Sequence, residues 1–329
     1  MAALSAWAGV HVGLSVQREG NMSRIHEALL KAEQERNVGQ VANATTLSIG
    51  AAHLRLATEN SGPANAPEAS TRTGVLIPPP SGAYLRFDSV VAHCAHPQWH
   101  PEPDASVFLN STAGAQGAEH FRTLRSRLCK IRGNQPTYKL LVTSSLPDEG
   151  KTFVSSNLAR AIQQQPQHRT LLIDADLRDP QLHLALGAPP RPGLSDYLRG
   201  EVDEISALQH GKEENLCFMP GGSYVPNPSE LLCNGRLKVL LDRLTPIFDW
   251  VILDSPPCLP VADATGLADF CDGVLLVLRA GSTPVEVAQK VCQQLGGENI
   301  VGVVLNRAEQ NELYGSHYYG HDHGDSAVA

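Results

Sequence analysis

The chain has 329 residues, with 26 lysines and arginines against 34 aspartates and glutamates and a formal net charge of −8. No basic block appears, which argues against a nucleic-acid surface, and no apolar run reaches membrane-spanning length, so membrane contact is expected only through a partner. Seven cysteines without a C-x-x-C pair read as reduced, mostly buried thiols rather than a zinc or iron–sulfur site.

Residues 1–21 carry an apolar stretch interrupted by Ser5, His11 and Ser15, and they lack the basic region of a signal peptide. We expect Met22 to be the natural start and residues 1–21 an extension from an upstream start assignment. Ser23 is a candidate N-cap for a helix over 22–37, with Ile25, Ala28, Leu29 and Ala32 on one stripe. Residues 38–115 are rich in Ala, Asn, Ser, Thr, Pro and Gly without sustained periodicity, which predicts a flexible linker. Within it, residues 90–93 form a short apolar piece able to dock on a core. His93, Cys94, His96 and His100 resemble metal ligands, but no second ligand pair follows, so a solvated segment is the better reading.

A folded domain is expected over 116–310. Its first helix, 117–132, places Glu119, Arg122 and Arg125 on one face and Phe121, Leu124 and Leu128 on another. Residues 139–162 then read as a buried strand, a tight loop and a helix. The loop, 145–152, is S-L-P-D-E-G-K-T, a near match to G-x-x-x-x-G-K-[ST] with Ser145 in the first glycine's place. Gly150 lets backbone amides approach an anion at the positive end of the helix. Lys151 is expected on the β/γ-phosphates and the Thr152 hydroxyl on Mg²⁺. Around this nucleotide we place Ser145, Pro147, Glu149, Gly150, Lys151, Thr152 and Phe153.

Strands are predicted near 170–174, 215–219, 249–254, 273–279 and 300–305, alternating with helices, which implies a mostly parallel sheet covered on both sides. Thr283-Pro284-Val285-Glu286 and Asn227-Pro228-Ser229-Glu230 read as capping boxes with proline at N1, and Gly296-Gly297 as a helix stop. L-L-I-D-A-D-L-R ends its strand in Asp174 and Asp176, and V-I-L-D-S-P-P ends another in Asp254, in the manner of a Walker B aspartate. The tail, 311–329, holds Tyr314, Tyr318 and Tyr319 among only seven tyrosines in the chain.

These segments together resemble the bacterial tyrosine autokinases (BY-kinases) of capsule and exopolysaccharide loci. The likeness runs over about 119–319 and rests on E-H-F-R-T-L-R, the phosphate loop, L-L-I-D-A-D-L-R, N-P-S-E-L-L, V-I-L-D-S-P-P and V-V-L-N. It implies a P-loop α/β fold of MinD/ParA type that transfers phosphate from Mg-ATP to tail tyrosines Tyr314, Tyr318 and Tyr319. Mg²⁺ would be held by Thr152, Asp174 and Asp254, the tyrosine proton accepted by Asp174 or Asp176, and adenine contacted by Asn306. Glu119, Arg122 and Arg125 would join subunits in a ring. A membrane chain-length regulator would activate this cytoplasmic, membrane-associated switch and a tyrosine phosphatase would reverse it. Two other readings stay open: a MinD/ParA-like positioning ATPase, whose extra lysine five residues before Lys151 is here Leu146, and a non-catalytic nucleotide-binding scaffold of an export complex.

Overall fold

The computed structural model describes residues 11–13, 85–109, 114–134, 138–166, 168–212 and 215–308. The expected helix at 22–37, most of the 38–115 segment and the tail tyrosines lie outside them.

Six parallel strands form the centre of one sheet: β2 (Tyr138–Ser144), β3 (Thr170–Asp174), β5 (Leu216–Met219), β6 (Trp250–Asp254), β7 (Gly273–Arg279) and β8 (Ile300–Asn306). Short strands β1 (His11–Gly13) and β4 (Gln209–His210) close its edges in antiparallel pairing, giving the order β1-β8-β7-β2-β6-β3-β5-β4. The central strands are buried along nearly their whole length, which is why they read as continuous apolar runs rather than alternating ones.

Helices cover both faces, as the alternation of elements predicts. Phe121, Leu124 and Leu128 of α2 (Gly114–Arg132) pack on one face with Val154, Leu158 and Ile162 of α3 (Lys151–Gln163) and with α4 (Leu182–Leu186). The other face carries α1 (Phe87–His93), α5 (Leu194–Arg199), α6 (Pro228–Leu232), α7 (Arg236–Leu244), α8 (Asp263–Ala268) and α9 (Val285–Gln294). All seven cysteines are free.

The linker expectation fails over 85–108. Phe87 and Val90 of α1 are buried on one face of the sheet, and Phe87 meets Phe248 edge-on at 5.7 Å. Ala95 then bridges β4, with His210 N donating to Ala95 O at 2.8 Å. Trp99 meets Phe218 edge-on at 6.1 Å, and Val107 and Phe108 pack on the opposite face. The segment is therefore a strap around the sheet edge. Its anchors are single apolar residues spaced by proline and polar residues, a pattern with no helical or strand period. His93 and His96 contact the backbone oxygens of Ser89 and Val91, so these ring nitrogens serve the local turn.

Both expected capping boxes are absent. Thr283 lies just before α9, but its hydroxyl is directed to Glu149 of the phosphate loop, and Pro284 occupies the N-cap. Asn227 makes no side-chain cap bond, and its amide contacts the Glu230 carboxylate at 3.5 Å. Gly296 has φ 66°, the left-handed conformation expected where α9 stops.

Candidate active site

The carboxyl ends of β2, β6 and β3 lie side by side, and in an open parallel sheet that edge is where ligands bind. β2 delivers the phosphate loop. β3 and β6 are in register, with Asp174 paired to Asp254, so the two carboxylates leave adjacent strands at one level.

The loop turns through two residues of positive φ, Asp148 at 62° and Gly150 at 94°, and passes directly into α3. Gly150 has no room for a side chain, since a Cβ there would lie 2.0 Å from the Asn306 amide nitrogen. No side chain caps the start of α3, so its first-turn N–H groups face the position where phosphate is expected.

Five predicted residues converge. Lys151 Nζ is 3.0 Å from Asp176 Oδ2. Thr152 donates to Asp254 Oδ2 at 2.7 Å, while Asp254 Oδ1 accepts from Ser155 at 2.9 Å. Asp174, fully buried, accepts backbone N–H bonds from Leu182 at 3.1 Å and Asp176 at 3.3 Å. Three carboxylates thus surround one lysine. Burial, and then the neighbouring Asp254, hold Asp174 well above the usual carboxylate range. Burial pushes Asp254 up to about 6 against the pull of Lys151 and the two hydroxyls. For Lys151 burial acts to lower the pKa, but Asp254, Asp176 and Asp174 outweigh it and the net shift is upward.

The donors are hard oxygens with excess negative charge, the chemistry Mg²⁺ selects. Among the described residues no three His, Cys, Asp or Glu side chains form a metal-holding group by themselves. Mg²⁺ takes oxygen ligands and keeps several waters.

Other predicted residues sit differently. Phe153 turns onto Phe121 of α2, 5.9 Å between ring centres, and so belongs to the packing behind the loop. Asn306 is buried and donates to Glu149 O at 2.9 Å, while its own carbonyl accepts from Arg307 N. Without nucleotide, it supports the loop. Glu149 directs its carboxylate to the loop's own backbone, and Pro147 is exposed at the bend. Ser145 is fully buried, so a hydroxymethyl group is accommodated where the usual pattern has glycine. Glu119 and Arg122 form an exposed ion pair at 3.1 Å, whereas Arg125 donates to Ala161 O of α3 at 2.6 Å.

Sequence reasoning missed Ser155 as a site residue, although it lies four positions after Lys151 on the same helix. It also missed how two motifs join: Arg178 Nε donates to Asp263 at 2.7 Å and Arg178 Nη2 to Ser229 Oγ at 2.8 Å. Asp263 carried no motif signal.

Comparison with known proteins agrees with this geometry. The CobQ/CobB/MinD/ParA nucleotide binding domain matches residues 140–321. The tyrosine-protein kinase YwqD of Bacillus subtilis is 34% identical over 207 residues, covering 62% of this chain and 86% of that protein. The succinoglycan biosynthesis transport protein ExoP of Rhizobium meliloti is 32% identical over 201 residues, 60% of this chain but only 25% of its own length. Among solved structures, the kinase domain of the Escherichia coli tyrosine kinase ETK is similar, with 33% identity and a TM-score of 0.56 over 64% of this chain and 79% of that one. The chain belongs to the bacterial tyrosine kinases, within the CobQ/CobB/MinD/ParA nucleotide-binding family.

Proposed function

We propose that the chain transfers the γ-phosphoryl group of Mg-ATP to tyrosines of its own kind, and that this controls exopolysaccharide polymerisation and export. The observation that carries this reading is the convergence of Lys151, Thr152, Asp174, Asp176 and Asp254 on the mouth of an uncapped helix. Positioning and electrostatics supply nearly all the catalysis of phosphoryl transfer, and this site is built of both.

Thr152, Asp174 and Asp254 are the residues that would hold Mg²⁺, whose charge would offset that of the β- and γ-phosphate oxygens when bound. Lys151 rests on Asp176 without nucleotide. Drawn onto the triphosphate, its ammonium would leave Asp176 open to accept the proton of an incoming tyrosine hydroxyl, itself too weak an acid to attack unaided. Asp174, fully buried and bonded to two backbone amides, is less available for that part, although the sequence alone does not separate the two.

Tyr314, Tyr318 and Tyr319 are the proposed acceptors, presented by a neighbouring copy. The exposed pair Glu119–Arg122 is the proposed ring contact, Arg125 acting from behind it through α3. A membrane chain-length regulator is the proposed activator; no helix among the described residues is long and apolar enough to cross a membrane. A tyrosine phosphatase would reset the tail. Replacing Tyr314, Tyr318 and Tyr319 together by Phe should remove phosphotyrosine and leave nucleotide binding intact. Undiminished labelling of that triple variant would place the acceptors elsewhere.

A further inference from the structure

We propose that Glu149 is a positioning residue: a built-in anion that holds the phosphate loop in its binding shape before nucleotide arrives. The proposal rests on the reading of this loop as a nucleotide site and goes beyond it by assigning Glu149 a role toward the loop instead of toward the ligand.

A carboxylate inside a phosphate-binding loop is at first sight misplaced, because it would repel the triphosphate. The geometry removes that conflict. Glu149 is 3% exposed, and its Oε2 accepts the backbone N–H of Ser145 at 2.6 Å and that of Leu146 at 2.9 Å. Its Oε1 accepts the hydroxyl of Thr283, whose oxygen in turn accepts Arg279 N at 3.1 Å. Its carbonyl accepts the Asn306 amide at 2.9 Å. One residue therefore ties together the end of β2, the second half of the loop, the approach to α9 and the last residue of β8.

Two consequences follow for binding. The N–H groups of Ser145 and Leu146 are committed to Glu149, so the phosphate cradle is confined to the α3 end of the loop, around Gly150, Lys151 and Thr152. The loop is also ordered in advance, so nucleotide binding does not bear the entropy of fixing the two positive-φ residues that flank Glu149, Asp148 and Gly150.

The test is titration of the full-length chain with a fluorescent Mg-ADP analogue, together with steady-state kinetics in ATP and thermal unfolding without nucleotide. Glu149→Ala should weaken nucleotide binding at least tenfold and raise KM for ATP more than it lowers kcat. Thr283→Val should weaken it about threefold. Glu149→Gln should rescue binding to within about threefold of the wild type, because its carbonyl can take both backbone donors while its amide donates to Thr283. Wild-type affinity in Glu149→Ala would overturn the proposal, as would a Glu149→Gln chain that unfolds like the wild type but binds as poorly as Glu149→Ala. Tighter binding in either variant would mean that the carboxylate chiefly repels the ligand. A wild-type chain that bound no nucleotide would overturn both this proposal and the site on which it rests, whereas failure confined to the Glu149 variants leaves the kinase reading standing.

Discussion

At the scale of single residues, the site stores negative charge that the fold alone does not need. Asp254 has a folded pKa of about 6 against an ordinary value of 3.8. A raised carboxylate contributes stability that is present below the ordinary value and is lost as pH rises through about 6. Two units correspond to about 3 kcal/mol as a ceiling, and coupling to Lys151 and Asp174 reduces it. Asp254→Asn should therefore stabilise the nucleotide-free protein by roughly 1–2 kcal/mol at pH 7.5, a thermal gain of several degrees. The gain should shrink toward pH 5, and the variant should form no phosphotyrosine. A lower melting temperature at pH 7.5 would refute this account of the carboxylates. Gly150 carries a second residue-scale expectation. Gly150→Ala meets both a φ of 94° and the Asn306 amide 2.0 Å away, so nucleotide binding should fall more than tenfold. Adding Asn306→Ala should restore only part of it, since the backbone strain remains, and titration with nucleotide separates the two causes.

At the scale of elements, legibility followed periodicity. The strands β2, β3, β5, β6, β7 and β8 were readable because each is a buried apolar run ending in a turn or carboxylate, and α2 because its apolar residues repeat every three or four positions. The phosphate loop and the paired aspartates were readable because their spacing is dictated by the ligand. The strap over 85–108 was not, because its anchors have no period, and β4 is too short to show one. Capping was misread at Thr283 for a different reason: the hydroxyl had two candidate uses, and the long-range contact with Glu149 prevailed over the local one. The family resemblance placed Asn306 at adenine and the loop motif placed Phe153 at the nucleotide; without nucleotide, Asn306 holds the loop and Phe153 packs on Phe121. If the strap is structural, Phe87→Ala should cost about 3–5 kcal/mol, as loss of a buried aromatic ring does. Chemical denaturation measures this directly, and a cost under about 0.5 kcal/mol would return the segment to the status of a linker.

At the scale of the whole molecule, one face of α2 packs against α3 while Glu119 and Arg122 face solvent on another. This exposed charged pair is the surface proposed to meet a second copy. Glu119→Ala with Arg122→Ala should lower the oligomeric mass seen by light scattering and slow tail phosphorylation, with nucleotide affinity unchanged. An unchanged mass would exclude this face as the ring contact. Asn306 ends β8 and donates to Glu149 O, so the end of the last strand is held against the phosphate loop. The central claim is that this site moves phosphate from ATP to tyrosine. Mass spectrometry of the intact chain after incubation with Mg-ATP, in the wild type and in Lys151→Met, tests it most directly. The account predicts phosphate on Tyr314, Tyr318 and Tyr319 in the wild type and on no tyrosine in the variant. Equal labelling of the variant, or a wild type that consumes ATP and leaves every tyrosine unmodified, would contradict it.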